Sequence, residues 1–151
     1  MKLLLPCLLL TASCGLFAQD ADHPNFTGTW LLDTSKSQIQ TKVAVTAWAI
    51  HQDDASIAID EQMQGKTASL KCGTDGSNCK AKPEGESGEV TFYYNGALLV
   101  ETDILGHNKD HVVKKRMKLV EDGKTMEIEV LHVSPQGPSE KWVFEKQADA
   151  K

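Results

Sequence analysis

The stretch "TMEIEVLHV", residues 125–133, decides how the rest of the chain is read. Met126, Ile128 and Val130 fall on one side of an extended chain, and Thr125, Glu127 and Glu129 fall on the other. A period of two is the side-chain spacing of a β-strand, and apolar residues on one face alone fit a sheet packed on that side and wet on the other. Just before it, "EDGK" places Asp122-Gly123 where a two-residue hairpin turn needs positive φ. The preceding stretch "HVVKKRMKLV" is therefore predicted to pair antiparallel with it. In that strand Val113, Lys115, Met117 and Leu119 share one face, and Val112, Lys114, Arg116 and Lys118 share the other.

The same alternation recurs along the chain between clusters of Gly, Asp, Asn and Pro. Strands are predicted at "GTWLLD", "VAVTAWAIHQ", "SIAIDEQ", "KTASLKC" and "SEKWVFEKQ", and "VTFYYNGALLVETDI" reads as two strands folded at Asn95-Gly96. Asp53-Asp54 and Gln64-Gly65 mark further turns. This gives an all-β chain of about nine short strands with no long crossover. Sequential hairpins build an up-and-down antiparallel meander, and one of eight to ten twisted strands closes into a barrel because closure removes exposed edges. An open sheet or two-layer sandwich is the alternative.

The first 20 residues, "MKLLLPCLLLTASCGLFAQD", set one cation before a Leu-rich run and then small residues, the order of a secretory signal peptide. Residues 1–18 are read as that peptide and 24–147 as one barrel domain. Two routes of processing remain open: cleavage after Ala18, or lipidation at Cys14, whose "TASC" loosely resembles a bacterial lipobox. Membrane association is expected only by the second route. Loss of Lys2 without any acid takes the formal charge from −5 to −6, which argues against nucleic acid as a partner. It also leaves Cys72 and Cys79, in "CGTDGSNC", as the remaining cysteines. An even, closely spaced pair in an exported chain reads as a disulfide.

At "NFTGTWLLDTSKS", residues 25–37, the sequence resembles a family. Gly28-Thr29-Trp30 is similar to the opening of the calycins, the lipocalins and fatty-acid-binding proteins, and "EDGKTMEIEV" with "WVFEKQ" resembles their closing hairpin. More narrowly, the layout resembles small secreted lipocalin-like proteins of bacteria. The resemblance implies a lipocalin-like barrel that binds a small hydrophobic ligand, with Trp30 closing one end. Two departures stand out. Only about ten residues, "TSKSQIQTK" among them, separate the first two strands, too few for a helical lid. No helix follows the last strand either.

Candidate ligand contacts are Trp48 and Phe92, as interior aromatics, and Arg116, the sole arginine. A guanidinium inside the barrel would pair a carboxylate bidentately, although strand parity favours the wet exterior for Arg116. His107 and His111 are separated by turn residues and specify no third ligand, so no metal is expected, and no cofactor. No nucleophile elbow, phosphate-binding loop or zinc-protease motif is present. Asn25 in "NFT" is formally a glycosylation acceptor. Three classes follow: a secreted or periplasmic binder of a small hydrophobic or amphipathic molecule; an envelope structural or interaction domain with a filled interior; and an enzyme, which would require a polar cluster inside the barrel. The first is the leading expectation, and enzymatic activity is not expected.

Overall fold

A computed structural model describes residues 23–42 and 45–148. The predicted signal peptide and Cys14 lie outside those residues. Ten strands follow one another: β1 (Gly28–Leu32), β2 (Val45–Gln52), β3 (Ser56–Met63), β4 (Lys66–Gly73), β5 (Cys79–Ala81), β6 (Gly88–Asn95), β7 (Leu98–Leu105), β8 (His111–Val120), β9 (Thr125–Ser134) and β10 (Glu140–Lys146). Each pairs antiparallel with its sequence neighbour except across β4 and β5, and β1 pairs with β10. The result is an up-and-down barrel, nearly closed, with one seam.

The strand missed by the sequence reading is β5. It spans three residues in a stretch dense in Gly, Pro and charge, too short for alternation to register. Two turns also differ from expectation. Asn95 ends β6, so the tight loop is Gly96-Ala97, with Gly96 at φ 61°. Between β8 and β9 the chain takes a wider turn over Glu121–Gly123, in which Glu121 and Asp122 share positive φ with Gly123. Gln64-Gly65 does form a two-residue loop, with Met63 opposite Lys66.

The barrel has two unlike ends. At one, the β2–β3, β4–β5, β6–β7 and β8–β9 turns meet the chain entering β1 and leaving β10. Here Trp30 is fully buried and donates its indole N–H to the Phe26 carbonyl at 2.8 Å. The Lys146 ammonium lies 5.3 Å from the centre of the Trp30 ring on the same side. Phe26 is buried as well, its own N–H donated to Gln52. This is the plug end. The opposite, loop end carries the β1–β2 segment and the β3–β4, β5–β6, β7–β8 and β9–β10 connections.

Between the ends, inward residues pack with almost no surface left to water: Trp48, Phe92, Ile57, Met117, Ile128 and Phe144 are all fully buried. Burial on this scale contributes about 2–3 kcal/mol per large apolar side chain. Trp48 stacks on Phe144, ring centres 5.0 Å apart. The β1–β2 segment forms no helix among its described residues; it runs beside β10, where Gln38 bridges to Lys141 and the Ser37 hydroxyl accepts the Val143 N–H. The seam is held at both ends. A disulfide joins Cys72 of β4 to Cys79 of β5, Cα atoms 5.8 Å apart, and nearby the Gly76 N–H donates to the Phe92 carbonyl at 2.8 Å. Towards the loop end, the short helical turn Pro83–Gly85 lies against β3 and β4, with Pro83 buried.

Candidate functional site: a buried ionic cluster beneath the loop end

Inward parity does not hold apolar residues throughout. In β3 the inward row runs Ile57, Ile59, Glu61; in β7 it runs Leu99, Glu101, Asp103, Leu105; in β8 it runs Val113, Lys115, Met117. The register sets Glu101 directly opposite Lys115, and Phe92 and Val90 opposite Glu101 and Asp103. Glu61 comes from the other wall, opposite Trp48 in β2 and Ala68 in β4. All four charged side chains are at most 2% exposed.

They meet around one ammonium. Lys115 Nζ lies 2.9 Å from Asp103 Oδ2, 3.3 Å from Glu101 Oε1 and 3.6 Å from Glu84 Oε1. Glu84 reaches in from the Pro83–Gly85 turn, where it adopts φ 51°, and its backbone N–H donates to Glu61 Oε2. The Trp48 ring centre is 5.9 Å from Lys115 Nζ. One cation therefore faces four carboxyl groups.

Burial raises Glu61 to about 7, with Lys115 and the Glu84 N–H pulling the other way. Burial, and then the neighbouring Asp103, also push Glu101 well above the usual carboxylate range. For Lys115 burial acts to lower the pKa, but Asp103, Glu101, Glu84 and Glu61 together overcome it and hold the group well above the ordinary lysine value. An ammonium kept protonated in this way is no nucleophile. The cluster is thus suited to holding charge and protons. Its acceptors are not all used: Glu61 Oε1, Glu101 Oε2 and Asp103 Oδ1 are buried without a partner, as is the Trp48 indole N–H.

A second buried acid at the same end is built differently. Glu140 accepts from the Trp142 indole at 2.9 Å and from the Thr41 hydroxyl at 2.7 Å, and His132 Nε2 lies 3.1 Å away. Burial acts to raise its pKa, but these partners outweigh it, and the carboxyl lies below its ordinary range. Fully partnered, Glu140 is a staple that ties the β1–β2 segment to the barrel.

Of the residues singled out from sequence, Trp48 and Phe92 face the interior, Trp30 fills the plug end, and Cys72 and Cys79 are bonded. Arg116 requires a correction as a ligand contact. It stands on the outer wall, about half exposed, paired with Glu129 at 3.1 Å directly across β9. The inward cation of β8 is its neighbour Lys115, and a one-residue step in a strand exchanges inside for outside. His107 lies exposed on the β7–β8 connection and His111 opens β8. Among the described residues, no three His, Cys, Asp or Glu side chains are arranged to hold a metal ion, and no helix is long and apolar enough to cross a membrane. The sequence reading missed Glu61, Glu84, Glu101, Asp103 and Lys115. For all but Glu84 a signal existed, namely a charge at inward parity in each of three strands.

No family profile matches the sequence, and no curated protein sequence matches it. Solved structures do match in shape. The fold is similar to that of the REP1-NXSQ fatty acid transporter, at 12% identity and TM-score 0.64 over 83% of this chain and 98% of that one. It is similar also to a Schistosoma mansoni fatty acid binding protein in complex with arachidonic acid, at 15% identity and TM-score 0.63 over 82% and 96%. Echinococcus granulosus fatty-acid-binding protein 1 matches at 13% identity and TM-score 0.64 over 82% and 98%. What is shared with these structures is the up-and-down barrel shape of fatty-acid-binding proteins, and at these identities it is the fold alone that is shared.

Proposed function

We propose that the chain is an exported barrel, secreted or periplasmic, that carries a small hydrophobic or amphipathic molecule in its interior. The observation that carries this reading is the set of buried polar groups without partners, gathered inside an otherwise apolar wall. Binding chambers combine mostly apolar linings with a few convergent polar groups that orient the ligand. Proteins of the same shape include a fatty acid transporter and one bound to arachidonic acid, which supports a binder over an enzyme. A signal-like N-terminus and a cystine both suit an oxidising compartment. Lipidation at Cys14 would add the membrane as a partner; cofactor, metal and nucleic acid have no part in this reading.

One observation favours a second reading. Trp48, Phe92 and Met117 are already fully buried, so a guest must displace or repack them, and a barrel that keeps them in place is a filled structural or interaction domain. Native mass spectrometry of protein recovered from its own host tests the two. Excess mass released on denaturation, together with enhanced fluorescence of the neutral probe N-phenyl-1-naphthylamine, is expected of the carrier. An unliganded mass and no probe binding would establish the filled barrel instead.

A further inference from the structure

Resting on the carrier reading, the geometry points to a cationic guest: we propose that the ionic cluster receives the primary ammonium head of an amphiphile, and that the barrel selects against fatty acids. Lys115 engages Asp103 Oδ2, Glu101 Oε1 and Glu84 Oε1, and Glu61 Oε2 takes the Glu84 N–H. Glu61 Oε1, Glu101 Oε2 and Asp103 Oδ1 are left over, buried and unpartnered. A primary ammonium carries three N–H donors and no acceptor. Without a guest, the raised Glu61 and Glu101 meet this shortage by holding protons, Glu101 sharing its own with Asp103; an ammonium would release those protons and donate its three N–H groups in their place, and charge-assisted hydrogen bonds of this kind are among the strong ones.

The charged groups of the cluster come from four elements: Glu61 from β3, Glu84 from the Pro83–Gly85 turn, Glu101 and Asp103 from β7, and Lys115 from β8. One cation among four acids cannot also neutralise a guest carboxylate, which would add a fifth acid to a desolvated site. The apolar remainder of an amine would take space that the Trp48–Phe144 stack and Phe92 now fill, and these side chains must repack around it. Access lies at the turn that carries Glu84, because that side chain is the solvent-exposed member of the set, at 38%.

The test compares three guests with one tail, dodecylamine, dodecanol and dodecanoic acid, by displacement of N-phenyl-1-naphthylamine from the folded wild-type protein below micellar concentrations. The amine should bind at least about tenfold more tightly than the acid, a gap of one charge-assisted contact, with the alcohol between them. In a Glu101→Gln, Asp103→Asn double variant the amine preference should disappear while dodecanol still binds. An acid that binds as well as the amine overturns the inference but leaves the carrier reading standing. So does an amine preference that survives the double variant, since the acidic outer surface would then account for it. If none of the three guests binds wild type, both readings fall.

Discussion

The two ends of the barrel interior solve the same problem, filling a tube of strands, by opposite means. At the plug end Trp30 and Phe26 fill the space, and the one indole N–H finds a carbonyl. At the loop end five charged or ionisable side chains fill it, and three carboxyl oxygens have no protein N–H or hydroxyl to accept from. The plug end is what packing and hydrogen bonding alone would produce. Buried ion clusters are seldom favoured over well-packed apolar residues of the same volume, because desolvation offsets the attraction. The contrast locates stability at one end and leaves the other to be explained by a task.

Substitutions at the two ends should behave differently. Lys115→Met should be the most damaging single change, costing about 3–5 kcal/mol, because it strands the buried carboxyl groups without their cation. Urea denaturation measures it. Replacing Lys115, Glu61, Glu101 and Asp103 together by apolar residues of similar size should restore wild-type stability or exceed it, and an equally damaged quadruple variant would show the cluster to be structural after all. Trp30→Ala should cost about 3–4 kcal/mol with no such rescue, since the loss is a cavity at the plug end.

Acidity separates the ends next. Folded Glu61 holds its proton up to about 7, whereas an unfolded chain releases it near the ordinary 4.5. Within that window the folded state binds more protons. Its contribution is therefore complete below 4.5 and is lost as pH rises towards 7, by about 3 kcal/mol at most. A stability–pH series should show this decline in wild type and a flatter profile in Glu61→Gln; identical profiles would place the titration elsewhere. Cys72→Ser with Cys79→Ser should cost roughly 2–3 kcal/mol in the chain-entropy picture of so short a loop, read as a fall in melting temperature on reduction or mutation. Arg116→Ala, on the outer wall, should change stability by less than about 1 kcal/mol.

Much of this architecture was legible in the residues. The alternation in "TMEIEVLHV" and "HVVKKRMKLV" told which side chains share a face, and Gly65 and Gly96 marked turns to within a residue. A three-residue strand carries too little periodicity to be seen, which is why β5 escaped. The cluster was half legible: Glu61, Glu101, Asp103 and Lys115 each stand in line with inward apolar residues of their own strand. What strand parity cannot tell is that Glu61 in β3 meets Lys115 in β8 across the interior, because that approach depends on how the sheet curls and shears as it closes. Glu84 depends on a turn with positive φ at a non-glycine residue, for which the sequence holds no local signal.

The seam has a consequence for where such a molecule can work. Every other strand boundary is fastened by a ladder of backbone bonds that no reductant touches, but β4 and β5 are joined by a cystine. In a glutathione-rich compartment that fastening would be lost, leaving the Gly76–Phe92 hydrogen bond and the Pro83–Gly85 turn to hold two strand borders whose N–H and C=O groups, unpaired across the seam, can recruit a neighbouring chain. The firmness of that seam is thereby tied to the electron supply of its surroundings, and oxidising conditions keep it at full strength.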